Sequence, residues 1–184
     1  IPVISIVSRL ADQKGIDLIM QVAGELLKDD IQLIVLGTGE GRYEYMFRQL
    51  QEQYPQKVSA NIFFDEVLAQ KIYAGSDMFL MPSLFEPCGL GQLFSLRYGT
   101  IPIVRRTGGL ADTIEHYNSE NMTGNGFVFD DYDAGGLMWG ISQALKVFYK
   151  GRDEWNKVVR NAMNCDFSWE HSAKNYLSLY NSMV

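Results

Sequence analysis

Met78-Phe79-Leu80-Met81-Pro82, then Glu86-Pro87-Cys88-Gly89-Leu90, then Gln92-Leu93-Phe94-Ser95-Leu96-Arg97-Tyr98: this stretch decides the fold. The first block is short, continuous and apolar, which reads as a buried strand, and the last reads as a short helix over residues 91–98. Between them a carboxylate stands on a loop stiffened by proline, next to a glycine that lets backbone N–H groups meet a ligand. Strand, loop, helix is anion-binding geometry. The free N–H groups and the positive dipole end of the helix point back over the carboxyl end of the strand.

Working outward, further β-rich apolar runs lie at residues 3–7, 32–36, 58–63, 101–104 and 126–129, with helical segments between them at 16–27, 43–54, 66–75 and 110–116. The runs are continuous rather than alternating, as strands covered on both faces require, and the alternation with helices predicts right-handed crossovers. The expected architecture is α/β, a doubly wound Rossmann-like parallel sheet. Three C-terminal helices follow, at 134–149, 152–165 and, after the N-cap residue Ser168, 169–183. No linker or repeat interrupts residues 1–184, which read as one domain.

The 184 residues are 47% apolar and 21% charged, enough for a packed core. A formal net charge of −6 argues against a nucleic-acid partner, which would call for a basic stripe. No run approaches the ~20 apolar residues of a membrane helix. Ile1 opens directly into a strand with no leader or initiator methionine, so the chain reads as a soluble second half of a longer polypeptide. Cys88 and Cys165 form no disulfide framework, which suits a reducing compartment, and His116 and His171 lie far apart, so no metal site is expected.

Ligands in such sheets sit outside the carboxyl ends of the strands, and four loops there are unusual. After the first strand, Arg9 and Lys14 share one loop, so a guanidinium and an ammonium converge on one anion, as a diphosphate requires, or else are two solvated surface cations. After the second strand, Gly37-Thr38-Gly39 brings backbone close to a ligand or simply turns the chain; it lacks the spacing of a dinucleotide fingerprint or a P-loop. The third loop carries Glu86. In the fourth, Thr107-Gly108-Gly109-Leu110 places a hydroxyl and flexible backbone at a helix start. Phe64, closing the third strand, offers a flat face to a purine or belongs to the core. Tyr73 and Tyr98 read as packing, and Cys88 either touches substrate or is a small buried apolar side chain.

In this order the motifs resemble the C-terminal domain of bacterial glycogen synthases and plant starch synthases. The resemblance rests on Ser8-Arg9-Leu10, Gln13-Lys14-Gly15, Leu36-Gly37-Thr38-Gly39, Phe85 to Leu90 with Gln92-Leu93, Arg97-Tyr98-Gly99-Thr100, Pro102-Ile103-Val104, Thr107-Gly108-Gly109-Leu110 and Asp166-Phe167-Ser168-Trp169. It implies the GT-B fold and a retaining transfer of glucose from ADP-glucose to the non-reducing end of an α-1,4-glucan. It also implies no cofactor, no metal, and an acceptor-side N-terminal domain outside this chain. Cytoplasm in a bacterium, or plastid in a plant, is the implied location.

By the same resemblance Glu86 is the acid beside the donor glucose, Arg9 and Lys14 grip the diphosphate, and Cys88, Gly89 and Leu90 line the pocket. Phe64 falls where relatives often stack tyrosine on adenine. Gly91 stands where many carry threonine, leaving a backbone N–H in place of a hydroxyl. Phe94 occupies the position of a second glutamate found in other retaining transferases. The absence of a carboxylate pair makes a glycosidase unattractive. A non-catalytic ADP-sugar or glucan-binding module, or a UDP-sugar transferase, are the alternative expectations.

Overall fold

A computed structural model describes residues 1–183. Six strands, β1 (Val3–Val7), β2 (Gln32–Leu36), β3 (Val58–Asn61), β4 (Met78–Met81), β5 (Ile101–Arg105) and β6 (Phe127–Phe129), form one sheet in the order β3-β2-β1-β4-β5-β6. Every adjacent pair is parallel. Helices α1 (Ile16–Leu26), α2 (Gly41–Gln53) and α6 (Ala134–Lys150) form one layer, and α3 (Glu66–Gly75), α4 (Gly91–Tyr98) and α7 (Arg152–Met163) the other. Ile4, Ile6, Leu33, Val35, Met78, Phe79, Leu80, Ile103 and Val104 are almost fully buried between those layers, which is why their runs carry no polar alternation.

Helix α2 begins two residues earlier than expected and α7 ends two residues earlier, and further differences from the expectation bear on the site and its surroundings. The β3 edge strand stops at Asn61, its last pairing being with Leu36, and the chain leaves the sheet so that Asp65 can cap α3 by accepting from the Leu68 N–H at 2.8 Å. Helix α5 (Gly108–Thr113) begins two residues early and ends before His116, which instead bridges to Gly126 beside the sheet. The last helix, α8 (Trp169–Ser182), is capped by Ser168 as its sequence demands but buries none of its residues. Tyr73 packs edge-on against Phe79, and burial pushes its hydroxyl up to about 12, whereas Tyr98 is exposed and donates to Gln70 at 3.0 Å.

His116 pins the short strand β6. The Val128 N–H donates to its Nδ1 at 3.0 Å, a bond only the neutral ring accepts, and the ring stacks on Trp139 with centroids 5.5 Å apart. Burial, with Arg106 nearby, holds its pKa below the ordinary histidine value, so the unfolded chain binds the extra proton first. This stabilisation is complete above about pH 6.5, the unfolded value, and fades as pH falls below it. Thermal melts between about pH 7 and about pH 5 are expected to decline more steeply for the wild type than for His116→Asn, whose amide oxygen accepts the same N–H without titrating.

Candidate functional site

Crossovers leave the sheet in opposite directions at β1 and β4, so the loops that follow these neighbouring strands part and leave a crevice between them. The two loops nonetheless touch at their base. Gly15 has φ +71°, and a Cβ there would lie 2.0 Å from the Pro82 carbonyl oxygen, so no other residue fits without moving backbone. The Leu84 N–H donates to the Gln13 carbonyl at 3.0 Å, and Gln13 Nε2 donates to the Phe85 carbonyl at 3.3 Å.

This contact brings together residues 72 positions apart: Lys14 Nζ lies 2.6 Å from Glu86 Oε2, with side-chain exposures of 18% and 7%. Ser83 Oγ donates to the same oxygen at 3.2 Å, leaving Oε1 free of both donors. An ammonium has three donors, so Lys14 retains two for a second anion. Arg9 stands exposed on the same loop, its Nη2 donating to Gln13 Oε1 at 3.1 Å. A carboxylate and two cations therefore rim the crevice at the start of α4. Leu90 caps that helix with no side-chain bond, and the first helical bond runs from the Phe94 N–H to the Leu90 carbonyl. The N–H groups of Gly91, Gln92 and Leu93 have no helical partner. Cys88 is exposed, so the buried reading of it does not hold.

Beyond Arg9 lies a largely apolar pocket of about 230 Å³, lined by Arg9, Gly37, Thr38, Phe64, Asp65 and Ala69 among others. Phe64 is 82% exposed, not core. Gly37 and Gly39 serve mainly another loop of the protein: Cβ atoms there would lie 1.8 Å from the Ser8 carbonyl oxygen and 2.1 Å from that of Leu10. Thr107 and Gly108 lie behind Glu86, where the Gly109 N–H donates to the Glu86 and Pro87 carbonyls at 3.1 and 3.2 Å. Among the described residues, no group of three or more His, Cys, Asp or Glu could hold a metal, and no helix is long and apolar enough to cross a membrane.

Residues 2–162 match the family model of glycosyl transferases group 1. The chain belongs to that family. A glycogen synthase of Desulforudis audaxviator is 57% identical over 98% of this chain and 36% of its own length, and one of Thermotoga maritima 56% identical over 97% and 37%. The chain thus spans little more than a third of these relatives. The catalytic domain of starch synthase IV from Arabidopsis thaliana, bound to ADP and acarbose, superposes with a TM-score of 0.88 at 35% identity, covering 98% of this chain and 38% of that one. A C-terminal domain of a group 1 glycosyl transferase from Francisella tularensis shares the fold at TM-score 0.68 and 19% identity, covering 89% of this chain and 83% of that domain. The architecture of this group 1 chain is that of the C-terminal domain of GT-B glycosyltransferases.

Sequence reasoning passed over the groups that hold the rim in place. Asp12, in the turn between Arg9 and Lys14, accepts from Tyr43 Oη and from Arg42 Nη2, the latter at 2.5 Å, and the Tyr43 bond chiefly holds its carboxyl below the usual range. Burial, then the bond to Asp17 at 2.6 Å, raises the Tyr132 hydroxyl. Arg105 lies over the Tyr132 ring at 5.3 Å and donates to the Leu84 carbonyl at 3.0 Å, tying β5 to the Glu86 loop. The only advance signal was the arginine pair Arg105-Arg106 at the end of a buried strand.

Proposed function

We propose that residues 1–184 are the donor-binding domain of a retaining glucosyltransferase that moves glucose from ADP-glucose to the non-reducing end of an α-1,4-glucan. The observation that carries this reading is the Lys14–Glu86 pair at the parting of β1 and β4, beside Arg9 and the unpartnered N–H groups of α4. The likeness to enzymes named glycogen synthase, and to a starch synthase bound to ADP, supports the nucleotide and the glucan.

As the glycosidic bond breaks, negative charge grows on the departing diphosphate and positive charge on the sugar ring. Arg9, the two spare donors of Lys14 and the start of α4 stabilise the first; a preorganised donor of this kind is worth ~2.7–4 kcal/mol. Glu86, through its free oxygen, holds glucose hydroxyls and favours the cationic ring. Phe64 stacks on adenine at the mouth of the apolar pocket, while Gly37 and Thr38 form its floor. Cys88, Gly89, Leu90 and Gly91 supply backbone to the sugar and phosphates, with Thr107 and Gly108 behind them. The acceptor-side domain lies in the remainder of a longer polypeptide, and closure of the two excludes water. We place the enzyme in the bacterial cytoplasm, in keeping with its bacterial relatives.

Calorimetry with ADP on the full-length protein, paired with transfer of labelled glucose from ADP-glucose to glycogen, tests the reading. ADP is expected to bind and to raise Tm more than UDP at equal concentration. Absence of transfer, or greater stabilisation by UDP, would overturn the ADP-glucose assignment.

A further inference from the structure

Gln92, the second residue of α4, is a polar side chain with no exposed surface, and no step above uses it. Its Nε2 lies 3.1 Å from the Cys88 carbonyl oxygen, 3.0 Å from that of Gly89 and 3.3 Å from Thr113 Oγ1. Thr113 spends its own proton on the Gly109 carbonyl at 2.6 Å, so it too faces Gln92 as an acceptor. Three acceptors around one nitrogen settle which way the amide points, since the reverse would set Oε1 against carbonyl oxygens. Its Oε1 is buried and has no hydrogen-bond partner among the described residues.

An orphaned buried oxygen is an expense a merely structural side chain would not need, because a leucine would fill the same space. The purpose lies in the peptide planes it holds. No peptide bond among the described residues is cis, so a carbonyl turned inward sends the N–H of the next residue outward. Gln92 turns in the carbonyls of Cys88 and Gly89, and the Gly109 N–H those of Glu86 and Pro87. The N–H groups of Cys88, Gly89 and Leu90 therefore face away from the core, continuous with those that begin α4. The left-handed conformation of Gly89, φ +73°, lets successive N–H groups line one concave face.

We propose that Gln92 is a positioning residue: by gripping two carbonyls from behind, it keeps the loop's N–H groups turned out as a cradle for the donor diphosphate. The proposal rests on the donor-site reading above. Without the amide, either peptide is free to turn its carbonyl toward the phosphates.

The test measures ADP affinity by calorimetry in the full-length protein for wild type, Gln92→Leu and Gln92→Glu. Folded Gln92→Leu is expected to bind ADP about tenfold or more weakly, the loss expected when oriented donors to a charged group are released, and to raise KM for ADP-glucose by a similar factor. Gln92→Glu places a buried acid against the same carbonyls. Protonated, it donates one O–H to them; ionised, it repels them. Its affinity relative to wild type at the same pH should thus recover between about pH 8 and about pH 5, while the Gln92→Leu ratio stays flat. Should Gln92→Leu not fold, the pH response of Gln92→Glu decides alone. Wild-type affinity in folded Gln92→Leu, or a flat ratio for Gln92→Glu, overturns the assignment of Gln92 while ADP binding by the wild type keeps the donor site. A wild type that ignores ADP overturns both.

Discussion

Glu86→Gln is expected to lower glucose transfer by about 10²–10³-fold while the protein remains folded, the range seen when one preorganised electrostatic contact to a transition state is removed. The amide keeps the shape of the carboxylate and can still accept from Lys14 or Ser83 through its oxygen, so packing around this buried residue changes little. What goes is the negative charge. In the structure that charge balances Lys14 at 2.6 Å, and in the proposed reaction it faces a sugar ring turning cationic. In the variant the ring meets a neutral dipole, and Lys14 is released toward the phosphates, where it strengthens ground-state binding as readily as transition-state binding. KM for ADP-glucose is therefore expected to hold or fall while kcat collapses. Steady-state kinetics on the full-length enzyme, with Tm as the check on folding, decides it; a kcat near wild type would remove Glu86 from the chemistry.

The elements of this site were readable one at a time, and the doubly wound fold placed the Arg9–Lys14 loop beside the Glu86 loop; the direct Lys14–Glu86 ion pair was not readable. Continuous apolar runs and the helices between them specify a parallel sheet because burial on both faces leaves no alternation, and five of the six strands lie within a residue of their expected ends. The sixth, β3, was read two residues too long, since an edge strand can stop wherever its cap residue is placed, as Asp65 shows. Strand order is a property of crossovers, so β1 beside β4 follows from the doubly wound fold and not from any local pattern. Without that neighbourhood Lys14 and Glu86 are only a loop cation and a loop acid. Of the two readings of Phe64, a face open to a ligand or core, its exposure excludes the core, because the chain leaves the sheet at Asn61. Gln92 was quoted within a motif yet given no task, since its acceptors are two carbonyls of the Glu86 loop and a hydroxyl of α5, 21 residues on, which no local pattern brings together.

Removing the cations tests the other half of the reaction, and the two should not behave alike. Arg9 is exposed and, among the described residues, its side chain is held by Gln13 alone, so Arg9→Ala is expected to leave Tm unchanged and to reduce kcat/KM about tenfold or more, the value of one charge-assisted contact to a phosphate. Lys14→Ala removes the same kind of contact and in addition strands the Glu86 carboxylate, whose remaining side-chain donor is the Ser83 hydroxyl at 3.2 Å. Breaking a fully buried ion pair costs about 3–5 kcal/mol, and the 18% exposure of Lys14 brings its cost below that range, enough still to lower Tm visibly. Kinetic loss for Lys14→Ala should exceed that for Arg9→Ala, reaching about a hundredfold, since both the phosphate contact and the orientation of Glu86 are lost. A double-mutant cycle separates these roles. Lys14→Ala combined with Glu86→Gln is expected to cost much less than the two single changes together, whereas Arg9→Ala combined with Glu86→Gln should be close to additive, because Arg9 does not touch Glu86. Wild-type kinetics in both single variants would detach the diphosphate from this rim.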